Sequence, residues 1–193
     1  MTDRADADVA LIERYLAGDV EAFNELMAAH EDRVFSICLR ILRDREAALD
    51  ATQETFVSVF RKADRFAGRS AFSTWLYRVA VNTCYDLARK QKRRRTDQLP
   101  EHRDPPDESV ADDLSAVEMR EEITEALAAL PAEFRAAVVL SDVEGLALAD
   151  VAEALGVPVG TVKSRVFRGR RILSEVLGNL RGGSDSLKDE TNA

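Results

Sequence analysis

Residues 146–169, LALADVAEALGVPVGTVKSRVFRG, read as two short helices joined by a tight turn. Leu148, Val151, Ala152 and Leu155 fall on one face of the first. Ala152 is small where two helices must cross closely, and Gly156 stands where the turn needs a left-handed residue. Val157 and Val162 supply apolar plugs, and Gly160 or Thr161 can open the second helix. That helix then offers Lys163, Ser164, Arg165, Phe167, Arg168 and Arg171. In a helix-turn-helix the start of the second helix contacts base edges, and basic residues further on clamp phosphates. An ordinary helical hairpin with a charged outer face is the alternative. The glycine, alanine and valines at the needed offsets, together with the basic second helix, favour the DNA-binding reading. By itself the unit says no more than that.

Outward from this unit the chain is helical almost throughout. Towards the N-terminus, Val117, Ile123, Leu127 and Leu130 carry apolar periodicity, and Pro131 suits the first turn of a further helix, PAEFRAAVVLSDVEG. Earlier still, a short helix is expected over Asp8–Ala17, ended by Gly18. Asp19 can cap a helix with Phe23, Leu26, Met27, Val34, Ile37, Cys38, Ile41 and Leu42 inward. Asp44 can cap the next, with Leu49, Thr52, Phe56, Val59, Phe60 and Ala63 on one face. Gly68 breaks the chain, and Ser70 or Ser73 can start a third long helix with Phe72, Leu76, Val79, Thr83 and Leu87 inward. Between the halves, TDQLPEHRDPPDESVADDLS holds three prolines and no apolar period, which marks a linker. The expectation is an all-α protein. It has a first helical domain at 8–95, a flexible acidic linker at 96–115, a helix-turn-helix domain at 116–181 and a disordered polar tail at 182–193.

The formal net charge is −8 over 193 residues, which taken alone argues against nucleic acid. The distribution decides otherwise. Arg89 to Arg95 carries six positive charges in seven positions, and Lys163 to Arg171 carries five more. Thr96 to Ser115 holds seven carboxylates against Arg103. Two basic patches flank an acidic connector, so DNA binding by the isolated chain should be weak. The pattern suits a subunit that reaches DNA when docked on something larger.

Two rows in the N-terminal half carry further chemistry. Asp50, Gln53, Glu54, Val57 and Arg61 recur at helical spacing on a face apart from the apolar one. A solvated face is the plain reading. The functional one is a dock for a basic partner helix, with Gln53 and Glu54 accepting from arginines. Arg78, Asn82, Tyr85, Arg89 and Lys92 lie down one side of the third helix, after the loop Arg65 to Phe72 and beside Trp75 and Tyr77. Cations interleaved with aromatics and an amide suit single-stranded DNA, whose bases stack on rings while phosphates meet cations. Trp75 can equally be core.

DREAALDATQETFVSVFRK, RFAGRSAFSTWLYRVAVNTCYDLARKQKRR and LPAEFRAAVVLSDVEGLALADVAEALGVPVGTVKSRVFRGRRIL, in that order, resemble the extracytoplasmic-function sigma factors of the sigma-70 superfamily. The resemblance covers roughly Val9 to Leu180. It implies a non-enzymatic subunit that gives RNA polymerase its promoter specificity, in a stress or envelope response. The first domain resembles region two. There the family's DxxQE helix docks on a β′ coiled coil, a role that falls on Asp50, Gln53 and Glu54. Melting of the minus-ten element and capture of a flipped base fall on Phe66, Arg69, Phe72, Trp75, Arg78, Asn82 and Arg89. The last domain resembles region four, which reads the minus-thirty-five duplex and meets the β flap. Lys163, Ser164, Arg165, Phe167, Arg168 and Arg171 are its DNA-facing set. Gly169 is taken as ordinary variation. The resemblance also implies a cognate anti-sigma partner.

Other classes fit less well. The histidines are His30 and His102, and Cys38 and Cys84 lack CxxC spacing, so no metal site is expected. No Gly-rich phosphate loop is present, no cofactor or small-molecule substrate is implied, and the carboxylates are spread as helix surface. Cys38 and Cys84 read as small core hydrophobes rather than redox sensors. A stand-alone helix-turn-helix regulator would bind its site unaided, and a response regulator would need a sensory α/β domain for which no strand pattern exists. A sigma-sequestering partner would not need two basic faces. The acidic N-terminus lacks a signal-peptide pattern and no apolar run nears the ~20 residues of a membrane span, so a cytoplasmic protein is expected.

Overall fold

A computed structural model describes residues 2–68, 70–97 and 123–189. The acidic linker reading at 96–115 lies almost wholly outside these residues, as does Arg69. Every regular element among the described residues is helical. In the first domain these are α1 (Thr2–Leu16), α2 (Val20–Leu42), α3 (Arg45–Lys62) and α4 (Phe72–Asp97), with a 3-10 turn over Ala63–Arg65. In the second, α5 occupies residues 123–129 and α6 spans Ala132–Val138. A π-helical turn over Val139–Val143 leads on to α7 (Leu148–Leu155) and α8 (Val159–Asp189).

The predicted caps hold. Asp19 accepts from Ala22 N at 3.4 Å and Asp44 from Ala47 N at 2.9 Å, each satisfying one of the amides that a helix start leaves open. Between them α2 closes on Arg43, a left-handed residue (φ 61°) whose N–H reaches Leu39 O at 2.8 Å. α2, α3 and α4 then pack on a shared core of Leu26, Val34, Ile37, Ala51, Val59, Leu76 and Val81. α1 crosses the edge of this bundle and begins earlier than expected, at Thr2. It buries Asp8 against His30, Oδ1 to Nε2 3.0 Å, and His30 Nδ1 is buried with no partner.

Two expectations about the inward faces, and one about the tail, need correcting. Leu49 (44% exposed) and Phe60 (48%) are not core. The buried row of α3 is Ala48, Ala51, Thr52, Thr55, Phe56 and Val59, and both residues stand one step off it. Phe60 instead spreads its ring against Tyr15 and Phe23 at the surface. The tail expected to be disordered from 182 is helical through Asp189, because α8, once nucleated, adds one hydrogen bond per residue.

In the second domain Pro131 is the N-cap of α6, its carbonyl accepting from Phe134 and Arg135. The helix widens into the π turn, with Glu144 N on Val139 O at 3.0 Å, and ends at Gly145 (φ 69°). Gly156 is left-handed (φ 63°) between α7 and α8, as the turn requires. Gly169 is not neutral: a Cβ there would meet Val138 Cγ2 at 2.6 Å, so its lack of a side chain lets α8 cross α6 closely.

The two domains touch. α7 lies along α4, while α6 and the π turn rest on α2. Arg33 Nε donates to Glu144 at 2.7 Å, with Arg40 4.0 Å from the same carboxylate, which is only 5% exposed. Arg135 Nη1 donates to Ile41 O at 2.7 Å, and its other nitrogens reach Leu127, Ala128 and Leu130 O. One guanidinium thereby collects the free carbonyls at the ends of α2 and α5.

Candidate nucleic-acid interface

Three surfaces follow from this packing. On α8, Val162 and Val166 are buried, which turns Lys163, Ser164, Phe167, Arg168 and Arg171 outward. Phe167 is 70% exposed, an unusual state for a phenylalanine on an otherwise well-packed helix. Ser164 Oγ donates to Thr161 O at 2.9 Å, and Arg171 stands 3.7 Å from Glu175. Arg165 does not join this face. It is half-buried and turned toward Tyr85 of α4, on whose phenol its charge acts. Arg170, counted among the basic run, is also diverted. It grips Asp142 of the π turn through Nε (2.9 Å) and Nη2 (2.6 Å), which holds the Asp142 carboxyl below the usual range. What remains is a helix whose open face combines cations with one ring, a form able to enter a DNA major groove.

On α4, Arg78, Asn82 and Arg89 are exposed and share one face with Tyr85. At the start of the helix Phe66, Phe72 and Trp75 form a cluster, with ring centroids 5.6 to 5.8 Å apart. Phe66 and Trp75 are half-buried and present partial faces, whereas Phe72 is 1% exposed and packs edge-on against His30. Phe72 therefore supports the loop from beneath and offers no face to a base, a correction to its reading as a contact. Asn82 lies seven residues past Trp75, roughly 10 Å along the axis, so the rings and the amide mark two points on a track. Arg89 donates to Asp86 Oδ1 at 2.7 Å across exposed surface. In the basic run beyond it, Lys90 and Arg93 are both exposed on the same helix.

The third surface is a groove of about 600 Å³ between α3 and α4. Asp50, Gln53, Glu54, Val57 and Ser58 form one wall, and Thr83, Asp86, Leu87 and Lys90 the other. The row on α3 is exposed because Thr52 and Thr55 turn inward and return their hydroxyls to Ala48 and Ala51 O. Three carboxylates and an amide around the apolar pair Val57 and Leu87 can accept a basic amphipathic helix. Thr83 is buried, as its inward reading expects, and Leu87 is half-buried against the core; both also line the α4 wall, which sequence reasoning missed.

Cys38 and Cys84 are both fully buried. The Cys84 thiol is pushed up, first by its contact with Cys38 and then by burial, so it stays protonated and unreactive at neutral pH. No cluster of metal-ligating side chains occurs among the described residues, and no described helix is long and apolar enough to cross a membrane.

Comparison with known proteins identifies the two domains that carry these surfaces. The sigma-70 region 2 profile matches residues 26–94, and the sigma-70 region 4 profile matches residues 120–173. The ECF RNA polymerase sigma factor SigM of Mycobacterium tuberculosis is 39% identical over 94% of this chain and 89% of its own length. The ECF RNA polymerase sigma factor SigE of Mycolicibacterium smegmatis is 38% identical over 81% of this chain, which spans 62% of that protein. The sigma factor RpoE of Bartonella quintana, solved in complex with the anti-sigma factor NepR, superposes with a TM-score of 0.66 at 26% identity, covering 81% of this chain and 96% of that one.

Proposed function

The chain belongs to the extracytoplasmic-function family of RNA polymerase sigma factors, and we propose how its three surfaces divide the work of promoter recognition. The groove between α3 and α4 receives a basic coiled coil of core polymerase, with Asp50, Gln53 and Glu54 accepting from its arginines and Val57 and Leu87 taking an apolar side chain. The face of α4 holds the melted minus-ten strand. Phe66 and Trp75 meet bases at one end, Arg78 and Arg89 hold phosphates, and Asn82 reads a base edge. The open face of α8 reads the minus-thirty-five duplex through Lys163, Ser164, Phe167, Arg168 and Arg171. Residues 8–95 and 116–181 are the units that carry these roles, the polymerase flap meets the second, and the site of action is the cytoplasm. As a specificity subunit the chain needs no cofactor and catalyses no reaction. The solved relative's anti-sigma complex supports a cognate anti-sigma partner here, one that covers the same faces.

The observation that carries this reading is the double duty of α4. One of its faces closes the acidic groove, and the neighbouring face bears the polar row. Polymerase docking and strand capture are thus built on one helix. The test is run-off transcription with core polymerase on a library of upstream regions, comparing wild type with Glu54→Lys combined with Gln53→Ala. The wild type directs initiation from a subset of templates. The variant keeps its helicity by circular dichroism and loses core affinity about tenfold or more, since each charged hydrogen bond contributes about 1.5–3 kcal/mol. Unchanged core affinity in the folded variant refutes the groove assignment. Specific binding of a promoter by the chain without polymerase would favour a stand-alone regulator.

A further inference from the structure

Tyr85 is the residue of the α4 face that the described arrangement hides. It follows Arg78 and Asn82 and precedes Arg89 at i, i+4, i+7, i+11 spacing, so the four share one side of the helix. Three are exposed, and Tyr85 is half-buried, packed against the shared core. Its hydroxyl is buried with no hydrogen-bond partner among the described residues. Besides Cys84 on its own helix, the groups acting on it belong to the second domain: Arg165 from α8, and Glu133 and Arg135 from α6. Burial pushes the phenol up to about 12, so it stays neutral. A buried hydroxyl without a partner costs about 1–3 kcal/mol, and a structure ordinarily finds it one. Here an aromatic with a polar tip stands in line with cations and an amide, unsatisfied, beneath a removable cover.

The cover must move for both DNA faces to work at once. Elements centred near minus ten and minus thirty-five lie about 25 base pairs apart, roughly 80 Å along a duplex. In this arrangement α7 lies directly on α4. Residues 98–122 join the two domains, and 25 residues of chain can reach roughly 85 Å at full stretch. The covalent path therefore permits the separation that the promoter demands.

We propose that Tyr85 is a further minus-ten contact, masked by the helix-turn-helix domain in the closed arrangement and released on opening to stack a base of the non-template strand between Asn82 and Arg89. The inference rests on the strand-binding role of α4 given above. It adds a ring where that reading had only an amide and cations, and it makes contact by Tyr85 and contact by the covering domain mutually exclusive.

The test uses holoenzyme on a promoter bubble. Non-template strands carrying 5-iododeoxyuridine at successive minus-ten positions are irradiated with the wild-type holoenzyme, and the crosslinked peptide is mapped by mass spectrometry. Crosslinking of Tyr85 at one position is expected. In parallel, Tyr85→Ala lowers affinity for the bubble about 5- to 100-fold, the range for loss of one base stack, while Tyr85→Phe stays near wild type because the ring face is kept. Core binding is unchanged in both. No crosslink at Tyr85 from any position overturns the proposal, and needs no variant to fold. Wild-type bubble affinity for Tyr85→Ala overturns it as well. If Asn82→Ala and Arg78→Ala also bind the bubble normally, the strand-binding role of α4 falls with it. If those two are defective and Tyr85→Ala is not, only the present proposal fails.

Discussion

Among the described glycines Gly169 has the least room beside it, since a methyl group there would stand 2.6 Å from Val138 Cγ2. Val138 is β-branched and sits on a helix, so its χ1 is confined and the methyl cannot swing aside. Gly169→Ala gains up to about 1 kcal/mol of helix propensity but overpacks the crossing by about 1–3 kcal/mol. We expect a net loss of stability in urea unfolding, reversed when Val138→Ala is added. A stabilised single variant would show that the crossing relaxes freely. In the sequence this glycine looks like surface variation in a basic helix, because close approach depends on what lies opposite. Gly156 is different: its left-handed role follows from its position in a turn and was legible. Arg165 and Arg170 share the fate of Gly169. Arg165 read as DNA-facing and Arg170 as part of the basic stretch, yet one lies near Tyr85 and the other pairs with Asp142.

Among the elements, the π turn is the least expected. The stretch from Pro131 to Gly145 reads as one helix, and the widening at Val139–Val143 has no periodic signature. It brings Asp142 to Arg170 in a two-bonded pair that ties the turn to α8. Because this pairing depresses the folded-state pKa of Asp142, its stabilisation is complete above the unfolded value near 4 and is lost as pH falls through the lower folded value. Asp142→Asn should therefore lower stability by about 0.5–1 kcal/mol at neutral pH, a figure kept small because Arg170 is largely exposed. The difference from wild type should shrink as pH falls below the unfolded value near 4 and the Asp142 carboxyl takes up its proton. Urea midpoints at pH 7, 5 and 3 check this, and a difference independent of pH would rule out the ion pair as its source. Of the other elements, α2 and α3 were legible from their aspartate caps and apolar stripes, whereas Leu49 and Phe60 show that a stripe read from sequence is one residue too wide.

At the scale of the whole molecule, the contact between domains joins an apolar centre, where α7 packs on α4 and the buried residues of both domains form one cluster, to charged pairs at its side. Glu144 draws in Arg33 and Arg40 from α2, and Arg135 reaches Ile41 O, while Tyr85 is left unsatisfied. Arg33 is half exposed, so Arg33→Glu leaves the α2 core intact and sets a like charge against the buried Glu144 carboxylate. The expected cost to the closed arrangement is about 1 kcal/mol, a roughly fivefold shift toward the open one. Small-angle scattering should report a larger radius of gyration for the variant than for wild type, and raised salt should move wild type the same way. An identical radius at both salt concentrations would show that this pair does not hold the domains together.

The sequence alone determined the local and the chemical: helices wherever apolar spacing and capping aspartates agree, a left-handed turn at Gly156, an acidic row on α3 and basic rows on α4 and α8. These depend on neighbours within a turn or two along the chain, so they can be read there. Only the tertiary structure decided which of those side chains are available. It buried Phe72 under the loop, paired Arg170, turned Arg165 inward, opened a second wall to the groove and laid α7 on α4. Availability is set by what packs opposite a residue, and the partners here lie from about thirty to more than a hundred positions away, where no periodicity along the chain can register them.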